Sequence, residues 1–260
     1  MNRAERIAER LFRENVDRAP FRWLEGDDRP GDLDEAYAAQ SALIRLWETR
    51  GVGNVGGWKI ALTSAAMQEL CGIDQPCVGT VLAKNIFDGP KTVSAADYVR
   101  LGLEFELAVR MGADAVHGNY DADEIMKLAA AVAPAFELIE DRGADYAGFD
   151  AMSLVADNTW NAGVVLGPEI PDWRAVDWKT QPVTLDYNGK VERAVTGDAM
   201  GDPFQALAVV ANNLHGRGER LKAGDIVITG STLKTRFAEV GDRARYAIGE
   251  LGAVELNVVA

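Results

Sequence analysis

The stretch "GLEFEL", residues 102–107, decides the fold because its apolar and acidic residues alternate. Three apolar side chains fall at every second position, with Glu104 and Glu106 between them. A period of two is typical of a β-strand, whose successive side chains point to opposite faces. One face of this strand is therefore apolar, and the other carries two carboxylates roughly 6–7 Å apart. Such a pair indicates either a solvated surface or a cation bound between the charges.

The composition limits the partners of the chain. It has 260 residues, 48% of them hydrophobic and 26% charged, with a net charge of −13. Nucleic acids and anionic membranes need a basic surface, so we expect neither as a partner. The first fifteen residues indicate a charged amphipathic helix. They lack the apolar central region of a secretory signal peptide, so we expect none. No apolar run is long enough to span a bilayer. Cys71 and Cys77 are too few for a disulfide framework, and we expect both to be buried thiols in a reducing cytosol.

The order of elements predicts an α+β fold. Two helices fill an N-terminal segment, residues 1–54, and a strand-rich body with inserted helices follows over 55–260. Asp32 is the expected N-cap of the second helix, with Glu35 completing a capping box. Further helices are predicted over 64–72, 121–133 and 202–216, and strands over 55–62, 78–82, 103–110, 134–140, 161–167, 183–195, 225–231 and 243–258, with a type I′ turn at Asn188-Gly189.

"GVGNVG", residues 51–56, matches the dinucleotide-binding pattern G-x-G-x-x-G. That fingerprint requires a strand before it and a helix after it. Here a helix precedes the glycines and a strand follows them, and no acidic residue closes a βαβ unit about 20 residues later. We therefore interpret the segment as a plain connection between helix and strand.

A third carboxylate, Glu137, lies between apolar residues in "PAFELIED". If Glu104, Glu106 and Glu137 all point inward, they form an oxygen-rich site suited to Mg²⁺ or Mn²⁺. The alternative is three solvated surface glutamates. Lys59 lies mid-strand between apolar neighbours, where burial would lower its pKa and suit it to proton transfer, unless it faces solvent. His117 and His215 lie in polar or helix-end positions that do not indicate catalysis.

At these residues the chain resembles the 2-keto-4-pentenoate hydratase / 4-oxalocrotonate decarboxylase family, within the fumarylacetoacetate hydrolase superfamily. The resemblance covers nearly the whole chain, through "GWKIALTS", "LEFELAVRM", "PAFELIEDR", "GDPFQALAVVANNL" and "LKAGDIVITGS". It implies a mixed β-roll body and a Mg²⁺ or Mn²⁺ ion held by Glu104, Glu106 and Glu137. It also implies a catalytic role for Lys59 and a substrate-binding role for Leu62, Cys77, Asp157, Asn158, Trp160, Thr229, Gly230 and Ser231.

Two departures from the family pattern affect the substrate side. Cys77 stands where members usually carry an acidic residue, and Trp160 with Asn161 replaces a pair of small residues. A buried thiol stays protonated and does not replace a carboxylate. An indole takes up volume in a close-packed pocket. We expect both changes to weaken hydration of the family's usual dienoate while leaving the binding of a 2-oxo acid intact.

The resemblance implies a metal-dependent hydratase that acts on a 2-hydroxy-2,4-dienoate, as in the catabolism of aromatic compounds. Two alternatives stay open. One is a decarboxylase or C–C hydrolase with the same metal site, and the other is a non-catalytic binder of 2-oxo acids or a partner subunit. The expected partners are a small 2-oxo acid, further copies of the chain in a homo-oligomer, and a related decarboxylase or aldolase, in the cytoplasm.

Overall fold

The structure, a computed structural model, describes residues 1–260. The helices are α1 (Arg3–Val16), α2 (Leu33–Thr49), α3 (Ala65–Cys71), α4 (Ala122–Met126), α5 (Ala151–Ala156) and α6 (Pro203–Gly216). The strands are β1 (Val55–Ala61), β2 (Cys77–Leu82), β3 (Ile86–Asp88), β4 (Lys91–Ser94), β5 (Leu101–Met111), β6 (Ala129–Glu140), β7 (Asn161–Leu166), β8 (Pro182–Tyr187), β9 (Lys190–Val195), β10 (Ile226–Ile228), β11 (Arg236–Phe237), β12 (Arg243–Ile248) and β13 (Gly252–Val259).

Two mixed sheets form the body. The larger sheet has the order β2-β1-β10-β5-β6-β7-β3, and β11 pairs with β5. The smaller sheet has the order β4-β13-β12-β8-β9. The larger sheet curls so that β2 approaches β7, and the main apolar core lies between its outer face, the smaller sheet and α6. The predicted α+β class and the β-roll body are confirmed.

The N-terminal helices pack on the body. α1 and α2 contribute most of a second apolar cluster, which also contains Leu82 of β2 and Ala156 of α5. Inside this interface the fully buried side chain of Gln40 donates hydrogen bonds to the carbonyl oxygens of Val78 and Val155, at 2.9 and 3.0 Å. One amide thereby joins α2, β2 and α5. The division into 1–54 and 55–260 stays a prediction, although β1 does begin at Val55.

The structure confirms most of the predicted helix caps, turns and connections. Asp121 and Glu124 form both bonds of their capping box. The hairpin turn has positive φ at Asn188 and Gly189, as a type I′ turn requires. Asp32 caps α2, but the Glu35 side chain accepts its bond from Gly31 instead of completing the box. The segment 51–56 runs from α2 into β1, which confirms it as a simple connection.

Two expectations are wrong. The helix predicted over 121–133 ends at Met126, and residues from Ala129 onward belong to β6. The alanines there favour a helix locally, but ladder pairing with β5, such as Ala108 with Ala133, overrides that preference. Cys71 is only partly buried, because none of the residues of the short α3 is fully covered. No helix of the protein is long and apolar enough to cross a membrane.

The Gln40 amide generates a stability prediction. Replacing Gln40 with Leu removes the two hydrogen bonds that its amide donates and one that it accepts from Arg217, and it takes the side-chain donor from the carbonyl of Val78. This loss costs about 1–3 kcal/mol. We expect a melting temperature lower by roughly 2–4 °C per kcal/mol, measured by scanning calorimetry. The matched control is Gln205→Leu on the exposed face of α6, which should leave the melting temperature nearly unchanged. Equal melting temperatures for the two variants would contradict the bridging role.

Candidate active site

Strand register brings the three predicted carboxylates together. β5 and β6 pair so that Glu104 lies directly opposite Glu137, and Glu106 follows two residues later on the same face of β5. One carboxylate oxygen from each of the three lies within 4.8 Å of the others. We call these three residues the acidic cluster. Glu106 and Glu137 are fully buried, so the alternative of three solvated surface glutamates is wrong.

Lys59 lies next to the acidic cluster. Lys59 is 3% exposed, and its Nζ is 3.3 Å from Oε1 of Glu137. The neighbouring strand provides room for the lysine stem, because Gly79 pairs with Lys59 across β1 and β2. A Cβ at Gly79 would lie 3.1 Å from Cγ of Lys59 and 2.1 Å from Oγ1 of Thr159. Lys59 therefore faces the acidic cluster and not solvent.

Each carboxylate of the cluster accepts a hydrogen bond from a neighbouring segment, and Glu137 also pairs with Lys59. The backbone N–H of Gly230 donates to Oε2 of Glu106 at 2.7 Å. The side-chain amide of Asn161 donates to Oε1 of Glu137 at 2.8 Å, and the hydroxyl of Thr235 donates to Oε1 of Glu104 at 2.6 Å. Two buried oxygens, Oε1 of Glu106 and Oε2 of Glu137, have no partner within the protein. These bonds orient the carboxylates and leave free oxygens within the cluster.

Burial has the largest effect on the pKa of the two buried carboxylates, and repulsion within the cluster adds to it. Burial, together with the charges of Glu137 and Glu104, raises the pKa of Glu106 well above its usual range. Burial also raises the pKa of Glu137 to about 7, although Lys59 and Asn161 act in the opposite direction. Burial lowers the pKa of Lys59, but the charges of the three carboxylates outweigh it and raise that pKa overall. The expectation of a lowered pKa for Lys59 is therefore wrong, because the three neighbouring carboxylates raise that pKa.

The donor set fits a hard divalent cation. Three carboxylates converge, two of their buried oxygens lack a partner, and all donors are oxygen atoms. Mg²⁺, Mn²⁺ and Ca²⁺ favour such ligands, whereas Zn²⁺ and copper favour sites with nitrogen or sulfur. A cation here would also offset the mutual repulsion of the buried charges. The arrangement can therefore bind a divalent cation and present it to a chelating ligand beside a lysine.

The "TGS" segment, residues 229–231, follows β10, and Gly230 is its residue that contacts the acidic cluster. Gly230 contacts Glu106 through its backbone, and its φ of +97° favours glycine. The hydroxyl of Thr229 donates to the carbonyl of Leu107 at 3.0 Å, and the hydroxyl of Ser231 accepts a bond from the backbone N–H of Phe105. Thr229 and Ser231 therefore fix the segment against β5, and their role toward a substrate stays a prediction.

Two of the predicted substrate residues make internal contacts. Asp157 is 3% exposed, forms an ion pair with Arg142 at 2.9 Å and accepts a bond from Asn15 of α1. The side-chain amide of Asn158 both donates to the carbonyl and accepts from the N–H of Thr80 on β2, at 2.8 and 2.7 Å. Both side chains hold the site's framework together, and contact with a substrate stays a prediction for each of them.

Strained backbone marks three of the predicted substrate residues, Leu62, Asn158 and Trp160, and also Thr159 between the last two. Asn158, Thr159 and Trp160 have φ of +53°, +50° and +58°, and Leu62 has +55°. Such values are rare for residues other than glycine, and each costs of order 1–3 kcal/mol. Trp160 is 6% exposed and packs within a cluster that Leu62 also touches. Strain of this kind concentrates at functional sites, where the surrounding structure holds it in place.

Cys77 lies near Lys59 as a fully buried thiol. Burial raises its pKa to about 12, although Lys59 acts in the opposite direction. The thiol therefore stays protonated and is a poor substitute for a carboxylate.

Sequence reasoning missed two residues that contact the acidic cluster. Thr235 lies in the loop before β11, where no spacing pattern links it to Glu104. The sequence analysis noted Asn161 only because it departs from the family pattern. In the structure its side-chain amide orients Glu137. Its position at the start of a predicted strand, beside Trp160, was the available signal.

Comparisons with known proteins agree with this geometry. The model of the fumarylacetoacetate hydrolase C-terminal domain matches residues 76–259. The 2-keto-4-pentenoate hydratase of Paraburkholderia phymatum is 33% identical over 88% of this chain and 87% of its own length. The 2-oxo-hept-4-ene-1,7-dioate hydratase of Escherichia coli is 29% identical over 97% of each chain.

A solved structure resembles the fold over its whole length. The 4-oxalocrotonate decarboxylase from Pseudomonas putida G7, complexed with magnesium and adipate, superimposes with a TM-score of 0.91 at 25% identity and covers 100% of this chain and 99% of its own. Sequence and structure thus converge on one assignment. The chain belongs to the fumarylacetoacetate hydrolase family and, within it, to the group of 2-keto-4-pentenoate hydratases and 4-oxalocrotonate decarboxylases.

Proposed function

We propose that the chain is a divalent-metal-dependent hydro-lyase of unsaturated 2-oxo acids. It would convert a 2-hydroxy-2,4-dienoate into its keto form and add water to the double bond that remains. The observation that carries this proposal is the acidic cluster with two unpartnered buried oxygens beside the buried Lys59. The relatives named as hydratases of such dienoates support the choice of reaction.

Glu104, Glu106 and Glu137 are the proposed ligands, and Mg²⁺ or Mn²⁺ is the proposed metal. The all-oxygen donor set supports both ions, and the related decarboxylase is complexed with magnesium. Asn161, Thr235 and the backbone of Gly230 orient the ligands from the second layer of contacts. Partners of this kind are worth 10–100-fold in metal affinity or activity.

The chain's own residues supply binding and proton transfer. When bound, the metal supplies Lewis acidity toward a carboxylate and a 2-oxo or enol oxygen of the substrate. Lys59 carries a proton at Nζ beside the cluster and moves it during tautomerisation. Burial of Lys59, Glu106 and Glu137 excludes bulk water and strengthens each charge interaction. The segment 229–231 is the proposed carboxylate-binding element. To bind a substrate, its two hydroxyls and the N–H of Gly230 would exchange their present acceptors, which are the carbonyls of Leu107 and Leu233 and the carboxylate of Glu106.

A decarboxylase of 2-oxo dioates is the second candidate. The whole-length match to the decarboxylase fold favours it. A divalent cation held by the same cluster would supply the Lewis acidity that loss of CO₂ from a 2-oxo dioate requires. A binder of 2-oxo acids, or a subunit that pairs with a related decarboxylase or aldolase, is the candidate from another class. We also propose a homo-oligomer in the cytoplasm, where free thiols such as Cys71 and Cys77 stay reduced.

One assay separates these functions. The protein is incubated with Mg²⁺ and 2-hydroxypenta-2,4-dienoate, and loss of the dienoate absorbance is followed together with the hydroxylated product. We expect measurable hydration, slowed by Cys77 and Trp160 relative to the named hydratases. Release of CO₂ from 4-oxalocrotonate without hydration selects the decarboxylase. Binding of oxalate without turnover of either compound selects the binder.

The metal site gives the first mutational prediction. Glu106→Ala removes a ligand, so calorimetry should detect no Mg²⁺ binding, and Mg²⁺ should no longer raise the melting temperature. The variant should stay folded without metal, because it loses a buried charge whose oxygen lacks a partner. Glu255→Ala on the exposed side of β13 is the control and should bind Mg²⁺ like the wild type. Unchanged affinity in Glu106→Ala rules out the site.

The lysine gives the second mutational prediction. Lys59→Met keeps the bulk of the stem and removes the proton carrier, so turnover should fall by roughly 10²–10⁴-fold. Magnesium affinity should persist, since Lys59 is not a ligand. The control is Lys190→Met at the exposed end of β9. If Lys59→Met turns over as fast as this control, the lysine serves only the framework.

A further inference from the structure

An aromatic surface stands beside the acidic cluster. We define the aromatic wall as Trp23, Leu62, Tyr146, Phe149 and Trp160. The ring centroid of Trp160 lies 5.9 Å from Trp23, 5.8 Å from Tyr146 and 6.3 Å from Phe149, and Leu62 packs against the same group. Tyr146 is 47% exposed, and Trp23, Phe149 and Leu62 are only partly covered. The wall therefore combines a buried base with an accessible apolar surface.

Three connections place the wall next to the cluster. Asn161, which directly follows Trp160, donates its hydrogen bond to Glu137. Ile139 lies two residues after Glu137 on the same face of β6 and packs with Trp160. Leu62 follows Lys59 by three residues at the end of β1. A ligand held at the cluster by one end therefore has the wall within reach of its other end.

Two of the cations near the wall are already paired. Arg100 makes a bidentate contact with Asp141, and its guanidinium lies 4.6 Å from the ring centroid of Phe237 at the edge of the wall. Arg142 is buried in its pair with Asp157. The indole N–H of Trp160 is buried without an acceptor in the protein. This single neutral donor does not compensate a carboxylate for the loss of its water.

We propose that the aromatic wall is the subsite for the distal end of the substrate and that it selects an apolar alkyl or aryl tail over a second carboxylate. This inference rests on the proposed function, because the acidic cluster must hold the 2-oxo acid end. An apolar tail gains by covering the exposed rings. A carboxylate tail loses hydration, and the guanidinium groups of Arg100 and Arg142 are already bound to Asp141 and Asp157. The wall thus makes the preferred substrate a monocarboxylic 2-oxo acid.

The test compares two ligands with the same six-carbon chain. 2-Oxohexanoate ends in a methyl group and 2-oxoadipate in a carboxylate, and calorimetry measures the binding of each in the presence of Mg²⁺. We expect the wild type to bind 2-oxohexanoate tighter by on the order of tenfold or more, from the burial of the tail and the desolvation of the carboxylate. Oxalate, which has no tail, reports on the acidic cluster alone.

Variants locate the preference on the wall. Tyr146→Ala and Phe149→Ala change partly exposed rings, so they should fold, bind oxalate as the wild type does, and lose most of the tenfold preference. Phe87→Ala, a partly buried phenylalanine on β3 outside the wall, is the control and should keep it. A wild-type preference for 2-oxoadipate, or an unchanged preference in both wall variants, overturns the subsite. Failure of oxalate to bind in the presence of Mg²⁺ overturns the proposed function itself, and the subsite falls with it.

Discussion

The close approach of three carboxylates, two of them fully buried, is the constraint on which the rest of the site depends. Glu104, Glu106 and Glu137 bring their oxygens within 4.8 Å of one another, and two of the three are fully buried. Burying a charge without a partner is costly, and like charges at this distance add to the cost. Lys59 offsets only part of the cost, as the raised pKa of Glu106 and Glu137 shows. A divalent cation bound by the cluster would offset both the burial and the mutual repulsion of these carboxylates.

The fold maintains this arrangement by fixing each carboxylate from a different element. β10 leads into Gly230, β7 provides Asn161, and the loop before β11 provides Thr235. The long β5–β6 ladder keeps Glu104 opposite Glu137, and a one-residue shift in its register would turn the cluster to the other face of the sheet. The same ladder buries the apolar residues between the acidic ones in the main core. Core packing and site geometry are therefore two consequences of one register.

Local sequence signals predicted the elements of this fold where local energy decides. The alternation around Glu104 and Glu106, the cap at Asp32 and the type I′ turn at Asn188 follow from backbone geometry within a few residues. The prediction failed at residues 129–133, where alanines prefer a helix and only pairing with a distant strand makes them extended. Thr235 was not predicted as a site residue for a related reason. Its contact with Glu104 spans 131 residues, so no periodic pattern in the sequence indicates it.

The candidate site was predictable in its charges and less so in its surroundings. Clustered carboxylates in an apolar context are unusual enough to stand out in a sequence. By contrast, the sequence does not indicate that Asp157 pairs with Arg142, because only three-dimensional packing brings the two residues together. The residues of the aromatic wall likewise come from four separate segments, so no single stretch of sequence predicts it.

The amide of Asn158 also bears on how the protein behaves at high concentration. β2 is an edge strand of the larger sheet, and edges with free N–H and C=O groups recruit strands from other molecules. Asn158 satisfies both backbone groups of Thr80 with one side chain, in the manner of a neighbouring strand. Its left-handed backbone turns the chain away immediately afterwards, so the edge cannot be extended at that point. The residue thus acts as a built-in guard against self-association through this edge of the sheet.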